Sequence, residues 1–548
     1  MSLPEPILEN LKFFLVEIST LLEKLDSFLN TEDPVIAQRI LERSGYTYNL
    51  RQRIQSRCIV YAAEETPTEA MQARALSDIA GHLDRLAELS RDCVLQARRL
   101  PEGHAVNLTE YRPLLRRVIR SIPVIDEALL SADSRNALKL GRAESKLNRL
   151  YQSLLTKQTE RLKKQKDTED LVTGLFIAHS FEQMGDILLT IGESILSGQL
   201  GQPTDLQRFS VLEKAMGDYT DARSVSSLDF NAVAETRSGS GISSVALPPQ
   251  PGSSSRKPQL AIYKDGEQKK LREERDGVES WHRIYPGVAP QILTYKKKGD
   301  SAALLIEHLN GVTFDQIVLN ATEPQRKQAI TALASTLTAI WDNTHRDEPV
   351  KAGFIPQLKK RLPSVYELHP SFKEGKTQIC GHQLAGFETL LDNAASLEEK
   401  LPPPFSVFIH GDFNVDNILY NARKDKINFI DLHRSKYMDY VQDVSVFMVS
   451  NFRLQVMDRE ARRQIFHQIT DFYTLMSEFA SERNDKTFDA RLAIGLARSF
   501  VTSTRFILDR NMARSLYLKA HYILRQLSSV DVGNAGQFRL NISEIFSE

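Results

Sequence analysis

The stretch FIHGDFNVDNILYNARKDKINFIDLHR, residues 408–434, sets His410, Gly411 and Asp412 ahead of Asn417 and, beyond a turn, Asp431. Asn417 stands 5 positions after Asp412, the spacing that places a carboxylate beside an acceptor hydroxyl and an amide oxygen on Mg²⁺. The residues NARKDK read as a turn, and Ile427 to Ile430 as an apolar strand. Asp431 ends that strand, where a carboxylate can bridge a metal ion to the β- and γ-phosphates of a nucleotide. A lone HGD tripeptide is more often a plain turn between strands. The ordered set between strand-like segments is what points to phosphoryl transfer.

This region resembles the aminoglycoside phosphotransferase and choline kinase group (APH), whose signature is HGD, then Asn, then Ile-Asp, with a further Asp downstream, here Asp443. The resemblance implies an α+β bilobal, protein-kinase-like fold that uses ATP and Mg²⁺. It implies Asp412 as general base, Asn417 and Asp431 as Mg²⁺ ligands, and His410 and Asp443 as braces of the catalytic loop. Where the group often has an aromatic residue and Glu after Ile-Asp, this chain has Leu432, His433 and Arg434, so the acceptors of antibiotic-modifying members do not carry over. Only 11 residues, Leu432 to Gln442, separate Asp431 from Asp443. That leaves no room for the activation loop of a protein kinase and favours a small-molecule hydroxyl acceptor.

Upstream, FNAVAETRSGSGISSVAL alternates as a hairpin does, and Gly239, Ser240 and Gly241 at its tip would let backbone N–H groups approach phosphate. The plain alternative is a flexible turn. The strand QLAIYK ends on Lys264, placed to neutralise nucleotide phosphates and to pair with a helix carboxylate. Glu274 is the expected partner and Glu273 the second choice, because Val278 and Trp281 follow Glu274 at helical spacing. PQILTY and ALLIEHLNG read as further strands leading to a hinge, with Glu307 to Leu309 offering backbone groups to adenine. LPPQPGSSSRKP, rich in Pro, Gly and Ser, reads as an extension of the hairpin without a packed core.

Residues 1 to about 200 carry few Gly or Pro and repeat apolar residues at helical spacing, so they read as a helical bundle. The order long helix, break, helix, helix occurs through Leu100 and again from Tyr111 to Ser197. This duplication, with FIAHSFEQMGDILLTIGESIL, resembles the PhoU family, two pseudo-symmetric three-helix bundles. The resemblance makes Glu182, Asp186 and Glu193, at helical multiples, a candidate metal-binding face. In the first copy Asp84 matches Asp186, but Ala80 stands where Glu182 would be. The plain reading of such a stripe is a solvated face.

The expected organisation is therefore multidomain: a PhoU-like double three-helix bundle over 1–200, a connector over 201–228, a nucleotide-binding small lobe over 229–315 and a large helical lobe over 316–548. Lys plus Arg and Asp plus Glu both number 70, which argues against nucleic acid as the main partner. The 3 cysteines are far apart, without metal or disulfide spacing. With no basic leader and no apolar run of membrane-spanning length, a cytoplasmic enzyme without membrane insertion is expected.

In LARSFVTSTRFILDRNMARSLYLKAHYILRQL the basic residues outnumber the acidic ones, and Arg498 and Arg505 share a helical face. They are candidate ligands for an anionic acceptor, with a solvated basic face as the plain alternative. The leading expectation is an ATP-dependent phosphotransferase, with the bundle regulating or scaffolding it and offering a surface to a protein partner. The alternative is a nucleotide-binding signalling scaffold that contacts a phosphate transporter or sensor kinase.

Overall fold

The structure is a computed structural model. It describes residues 5–63, 66–130, 134–164, 166–201, 203–217, 230–235, 241–247, 259–373, 377–379 and 382–547. The chain divides into two compact units, one of Met1–Gln268 with Leu293–Ile306, the other of Lys269–Ile292 with Glu307–Glu548.

The first unit opens with α1 (Glu5–Thr31), α2 (Pro34–Leu41), α3 (Ser44–Ala62) and α4 (Pro67–Ala97), then α5 (Arg112–Leu130), α6 (Ser134–Leu162) and α7 (Thr168–Leu200). Along α7 the buried residues Ile177, Phe181, Met184, Leu188, Ile191 and Ile195 recur at the spacing of one helical face. Thr66 and Glu69 close a capping box at the start of α4. α4 and α7 pack along each other, with α3 against α4 and α6 against α7. This is the doubled three-helix architecture expected from the repeat, with the short α2 added to the first copy. Arg112 of α5 clamps the Asp26 carboxylate of α1 through Nε at 2.9 Å and Nη2 at 2.7 Å.

α8 (Leu206–Met216) follows. Its N-terminus is fixed twice: Asp205 accepts from the Arg208 N–H at 2.8 Å, and Glu193 of α7 accepts from the Leu206 N–H at 3.3 Å. The strands β1 (Phe230–Glu235), β2 (Gly241–Leu247), β3 (Gln259–Glu267), β4 (Ile292–Lys298) and β5 (Ser301–Glu307) form a sheet in the order β1-β2-β3-β5-β4. β1 and β2 are the expected antiparallel hairpin, and β2 pairs antiparallel with β3, with Ile242 opposite Lys264. The tip residues Gly239 and Ser240 and most of LPPQPGSSSRKP lie outside the described residues.

Alternation along β2 and β3 sends Val245, Leu247, Ala261 and Tyr263 inward. With Ala303 and Leu305 of β5 they join one apolar cluster that also contains Phe209, Leu212 and Met216 of α8 and the interior of the helical bundle. α8 packs against both α7 and β3. Bundle and sheet thus share a core, with α8 as the piece between them.

The second unit takes α9 (Gln268–Ile284) from Lys269 onward, then β6 (Val312–Thr313), α10 (Phe314–Asn320), α11 (Glu323–Asn343), α12 (Phe354–Leu368), β7 (Thr377–Ile379), β8 (His382–Leu384) and α13 (Phe387–Lys400). β9 (Val407–Ile409), β10 (Ile418–Asn421), β11 (Lys426–Phe429) and β12 (Lys436–Met438) precede α14 (Val441–Phe452), α15 (Arg459–Glu482), α16 (Phe488–Ser503), α17 (Arg510–Leu527) and α18 (Ile542–Phe546). β10 pairs antiparallel with β11 and β6, and β9 with β12. α14 is buried at every position, and α16 from Phe488 to Thr502. Helices enclosed on all sides form the centre of a fold, and any charge on them needs a partner.

Candidate active site

Residues 410–417 connect β9 to β10, Asp431 follows β11, and Asp443 lies in the first turn of α14. The Asp443 carboxylate accepts from the backbone N–H groups of His410 at 2.7 Å and Gly411 at 2.9 Å. Gly411 has φ +84°, and a Cβ there would stand 2.4 Å from the Arg434 carbonyl oxygen, so only glycine fits. His410 accepts the Asp412 N–H on Nδ1 at 3.3 Å, which leaves Nε2–H to donate to the Ile430 carbonyl at 2.9 Å. This is the neutral tautomer, and burial pulls the His410 pKa below its ordinary value.

Burial pushes Asp443 up to about 7, against the pull of the two N–H groups. The folded state therefore keeps this proton between about pH 4, the ordinary carboxylate value, and the raised pKa. Its contribution to stability is complete below that window and is lost as pH rises through it. Asp443→Asn removes the titration. The wild type should lose stability relative to this variant as pH is raised from about 4 to about 8, as read by urea unfolding at each pH.

Asp412 is held by two neighbours. Asn414 Nδ2 donates to Oδ1 at 2.9 Å, and Arg434 Nη1 lies 3.2 Å from Oδ2. Arg453 in turn fixes Asn414 through its Oδ1 at 3.0 Å. Asn417 Nδ2 donates to the Asp412 carbonyl at 2.9 Å, which leaves the amide oxygen as the donor atom for a cation. Asp431 has φ +61°, an unusual backbone state for a non-glycine residue, and its Oδ1 accepts from His433 Nδ1 at 2.8 Å. His433 Nε2 accepts from Arg434 Nε at 3.0 Å. One chain of contacts, Asp412 to Arg434 to His433 to Asp431, thus links the two carboxylates. An amide oxygen and a carboxylate are the hard oxygen donors that Mg²⁺ takes, with waters or phosphate oxygens completing its shell.

α9 is docked on this region. A Cβ at Gly277 would stand 2.2 Å from the Leu432 carbonyl oxygen, so backbone and helix touch directly. Trp281 Nε1 donates to Ser435 Oγ at 2.8 Å, and Ser435 Oγ donates to the His410 carbonyl at 3.1 Å. Glu274 shares the inward face of α9 with Val278 and Trp281 and is 6% exposed, whereas Glu273 is exposed. Lys264, at 8% exposure, lies on β3 in the first unit, and Gly241 opens β2. Glu307 ends β5. Its N–H donates to the Gln291 carbonyl at 2.9 Å and its carboxylate accepts from the Gln291 N–H at 3.2 Å, with Leu309 two residues on.

Within the second unit a cavity of about 1050 Å³ opens on Asp412. Its wall carries 7 Lys or Arg side chains and only 2 Asp or Glu, Asp412 and Glu273. Arg498 and Arg505 both line it. The sequence reading missed Lys360 and Arg361 of α12, Arg434, Lys436 of β12 and Arg453 past α14. The segment read as one basic helix breaks at Thr504–Phe506, so Arg510, Arg514, Lys519 and Arg525 sit on α17 and none of them lines the cavity. Burial and then the charge of Arg361 draw Arg498 down to about 9, so it stays protonated at neutral pH.

In the bundle, Glu182 pairs with His179 at 3.1 Å, and burial, then Asp186, raises its pKa. Glu193 is engaged at the start of α8, and burial raises its pKa too. In the first copy the buried Asp84 pairs with Arg51 at 3.1 Å. Among the described residues no group of three or more His, Cys, Asp or Glu is gathered as a metal site would require. Nor, among them, is any helix long and apolar enough to cross a membrane.

A model of the phosphotransferase enzyme family matches residues 272–475, so the C-terminal part carries a domain of that family. The N-terminal region is PhoU-like. It is similar to the phosphate-specific transport system accessory protein PhoU of Serratia marcescens, 21% identical over 217 residues, which are 38% of this chain and 89% of that protein. Among solved structures, the phosphate transport regulator PhoU of Streptococcus pneumoniae aligns at 15% identity, 37% of this chain, 98% of that one and a TM-score of 0.35. An aminoglycoside phosphotransferase of Streptomyces rimosus aligns at 20% identity, 59% of this chain, 98% of that one and a TM-score of 0.31.

Proposed function

We propose that the chain transfers the γ-phosphoryl group of ATP to a hydroxyl of a small anionic metabolite. The cation-lined cavity that opens on Asp412 carries this reading, because such a wall repels polycations and attracts anions. Asp412 orients the acceptor hydroxyl and takes its proton, and Asn414 and Arg434 aim its carboxylate. Asn417 and Asp431 would hold Mg²⁺, which would supply charge neutralisation on the transferred group. Lys264 steadies the nucleotide phosphates, and Glu274 of α9 is the carboxylate the sequence offers for it. Gly241 approaches those phosphates, a role the sequence also offers to Gly239 and Ser240, which lie outside the described residues, and Glu307 to Leu309 meet the adenine. Arg498 and Arg505 bind the acceptor's anionic group. The PhoU-like bundle regulates or scaffolds the kinase and offers a surface to a protein partner, with Glu182, Asp186 and Glu193 as its candidate cation face.

The test is ADP release from Mg·ATP across anionic, neutral and cationic alcohols. Turnover confined to anionic alcohols supports the proposal, and faster turnover of neutral or cationic ones overturns the acceptor class. Nucleotide binding without any turnover favours the scaffold reading. Asp431→Ala should weaken ATP binding about tenfold or more when Mg²⁺ is present and little when it is absent, as followed by titration in both conditions.

A further inference from the structure

Arg491 and Arg498 lie two turns apart on the buried helix α16, and the protein treats them differently. Arg491 is neutralised by Asp439 and Asp485, each of which meets one end of its guanidinium. Arg498 is equally enclosed, at 4% exposure, yet its Nε and Nη2 have no hydrogen-bond partner. The hydroxyl of the adjacent Ser499 is likewise buried and without one. Both residues line the cavity beside Asp412. The Arg498 guanidinium carbon stands 5.6 Å from the centroid of the Phe354 ring, but two of its three nitrogens are enclosed without a hydrogen-bond partner, which is costly for a buried charge.

The protein's own carboxylates do not fill the gap. Glu398, Asp443 and Asp412 are near enough for their charges to act on Arg498. Glu398 accepts the N–H groups of Phe354 and Ile355, and Asp443 those of His410 and Gly411. Asp412 is taken by Asn414 and Arg434. Positive charge is also gathered here rather than dispersed: Arg361 feels the repulsion of Arg505 and Arg434, and Arg498 that of Arg361. Guanidinium groups held together against their own repulsion form a receptor for an anion of more than one charge. A single carboxylate answers one guanidinium fork, whereas a phosphate dianion has three outer oxygens to share among several.

We propose that Arg361, Arg498, Arg505 and Ser499 form a phosphate subsite and that the acceptor is a phosphomonoester alcohol, converted to a bisphosphate. This rests on the phosphotransferase reading above and specifies its acceptor. In the transfer, the acceptor hydroxyl oxygen bonds to the γ-phosphorus of ATP. The bond from that phosphorus to the β,γ-bridging oxygen breaks, its electron pair leaves with ADP, and the hydroxyl proton passes to Asp412. Asp412 and the subsite share one cavity, so one small molecule spans from phosphate to reacting hydroxyl.

The first experiment needs no turnover: inorganic phosphate is titrated calorimetrically into the full-length protein without nucleotide. Arg498→Met, which removes the charge and keeps the bulk, and Arg505→Gln, at a less buried position, should each weaken phosphate binding about ten- to a hundredfold, the worth of one charge-assisted hydrogen-bonding group. Undiminished binding in both variants, or no binding to wild type, overturns the subsite. The second experiment follows ADP release with glycerol 3-phosphate, glycerate and glycerol as probes of the three acceptor classes. Preference for the phosphate ester, with inorganic phosphate competing against it, supports the proposal. Stimulation of glycerol turnover by inorganic phosphate would make free phosphate the occupant and overturn the acceptor assignment. Arginine-dependent phosphate binding with no ADP released from any alcohol keeps the subsite and removes the kinase reading. ADP release without phosphate binding does the reverse.

Discussion

Asp412→Asn is expected to lower kcat by about 10² to 10⁴, the usual worth of a positioned base, while fold and Mg·ATP affinity persist. The substitution is nearly isosteric, so the amide oxygen can still accept from Asn414, which now meets Oδ1 at 2.9 Å. What disappears is the group that takes the hydroxyl proton, together with the ion pair to Arg434 at 3.2 Å. That arginine side chain is 49% exposed, and a pair so open to water adds at most about 1 kcal/mol to stability. ADP release with and without acceptor, beside circular dichroism of both proteins, checks the expectation. A variant with near-normal kcat would show that Asp412 is not the base. A variant that fails to fold would show that the loop depends on the carboxylate itself.

A chain that starts at residue 218, without the bundle and α8, is expected not to hold its five-stranded sheet. Val245, Leu247, Tyr263 and Leu305 are all nearly inaccessible and lie in the same apolar cluster as α8 and the bundle. Uncovering each costs about 1.5–3 kcal/mol, so the four together rival the about 5–15 kcal/mol that holds a typical domain folded. The shortened chain should aggregate or be cut rapidly by protease within β2, β3 and β5, and it should fail to bind Mg·ATP. A soluble, protease-resistant fragment that binds nucleotide would overturn the shared core as a condition of folding.

The residues around Asp412 were readable because they lie on one short run with a turn between two strands, so spacing alone orders them. The inward placement of Glu274 was readable for a similar reason, with Val278 and Trp281 marking the helix face on which it sits. The basic cavity was not, because Lys360, Arg361, Lys436 and Arg453 come from separate elements that only the tertiary fold brings together. For Arg498 the sequence leaves two readings open, an acceptor ligand and a solvated basic face, and its burial on α16 speaks against the second. A signal against that was present: RLAIGLARSFV is apolar on all sides of Arg498, the mark of a charge inside a core helix. The packing of the sheet on α8 left little trace in the sequence, since LQRFSVLEKAM looks like any short amphipathic helix.

α8 also has a thermodynamic consequence. Amide hydrogens in β3 and β5 exchange with solvent only when the strands open, and opening them uncovers apolar surface that belongs equally to the helices. Any molecule that binds the folded bundle at a hundred times its Kd would add about 2.7 kcal/mol to the opening free energy of whatever unfolds with the bundle. Exchange in the strand that carries Lys264 should then slow by about a hundredfold, although that molecule touches no residue of the sheet. The shared core thus gives the helices a way to set how often the strands open without any dedicated signalling element.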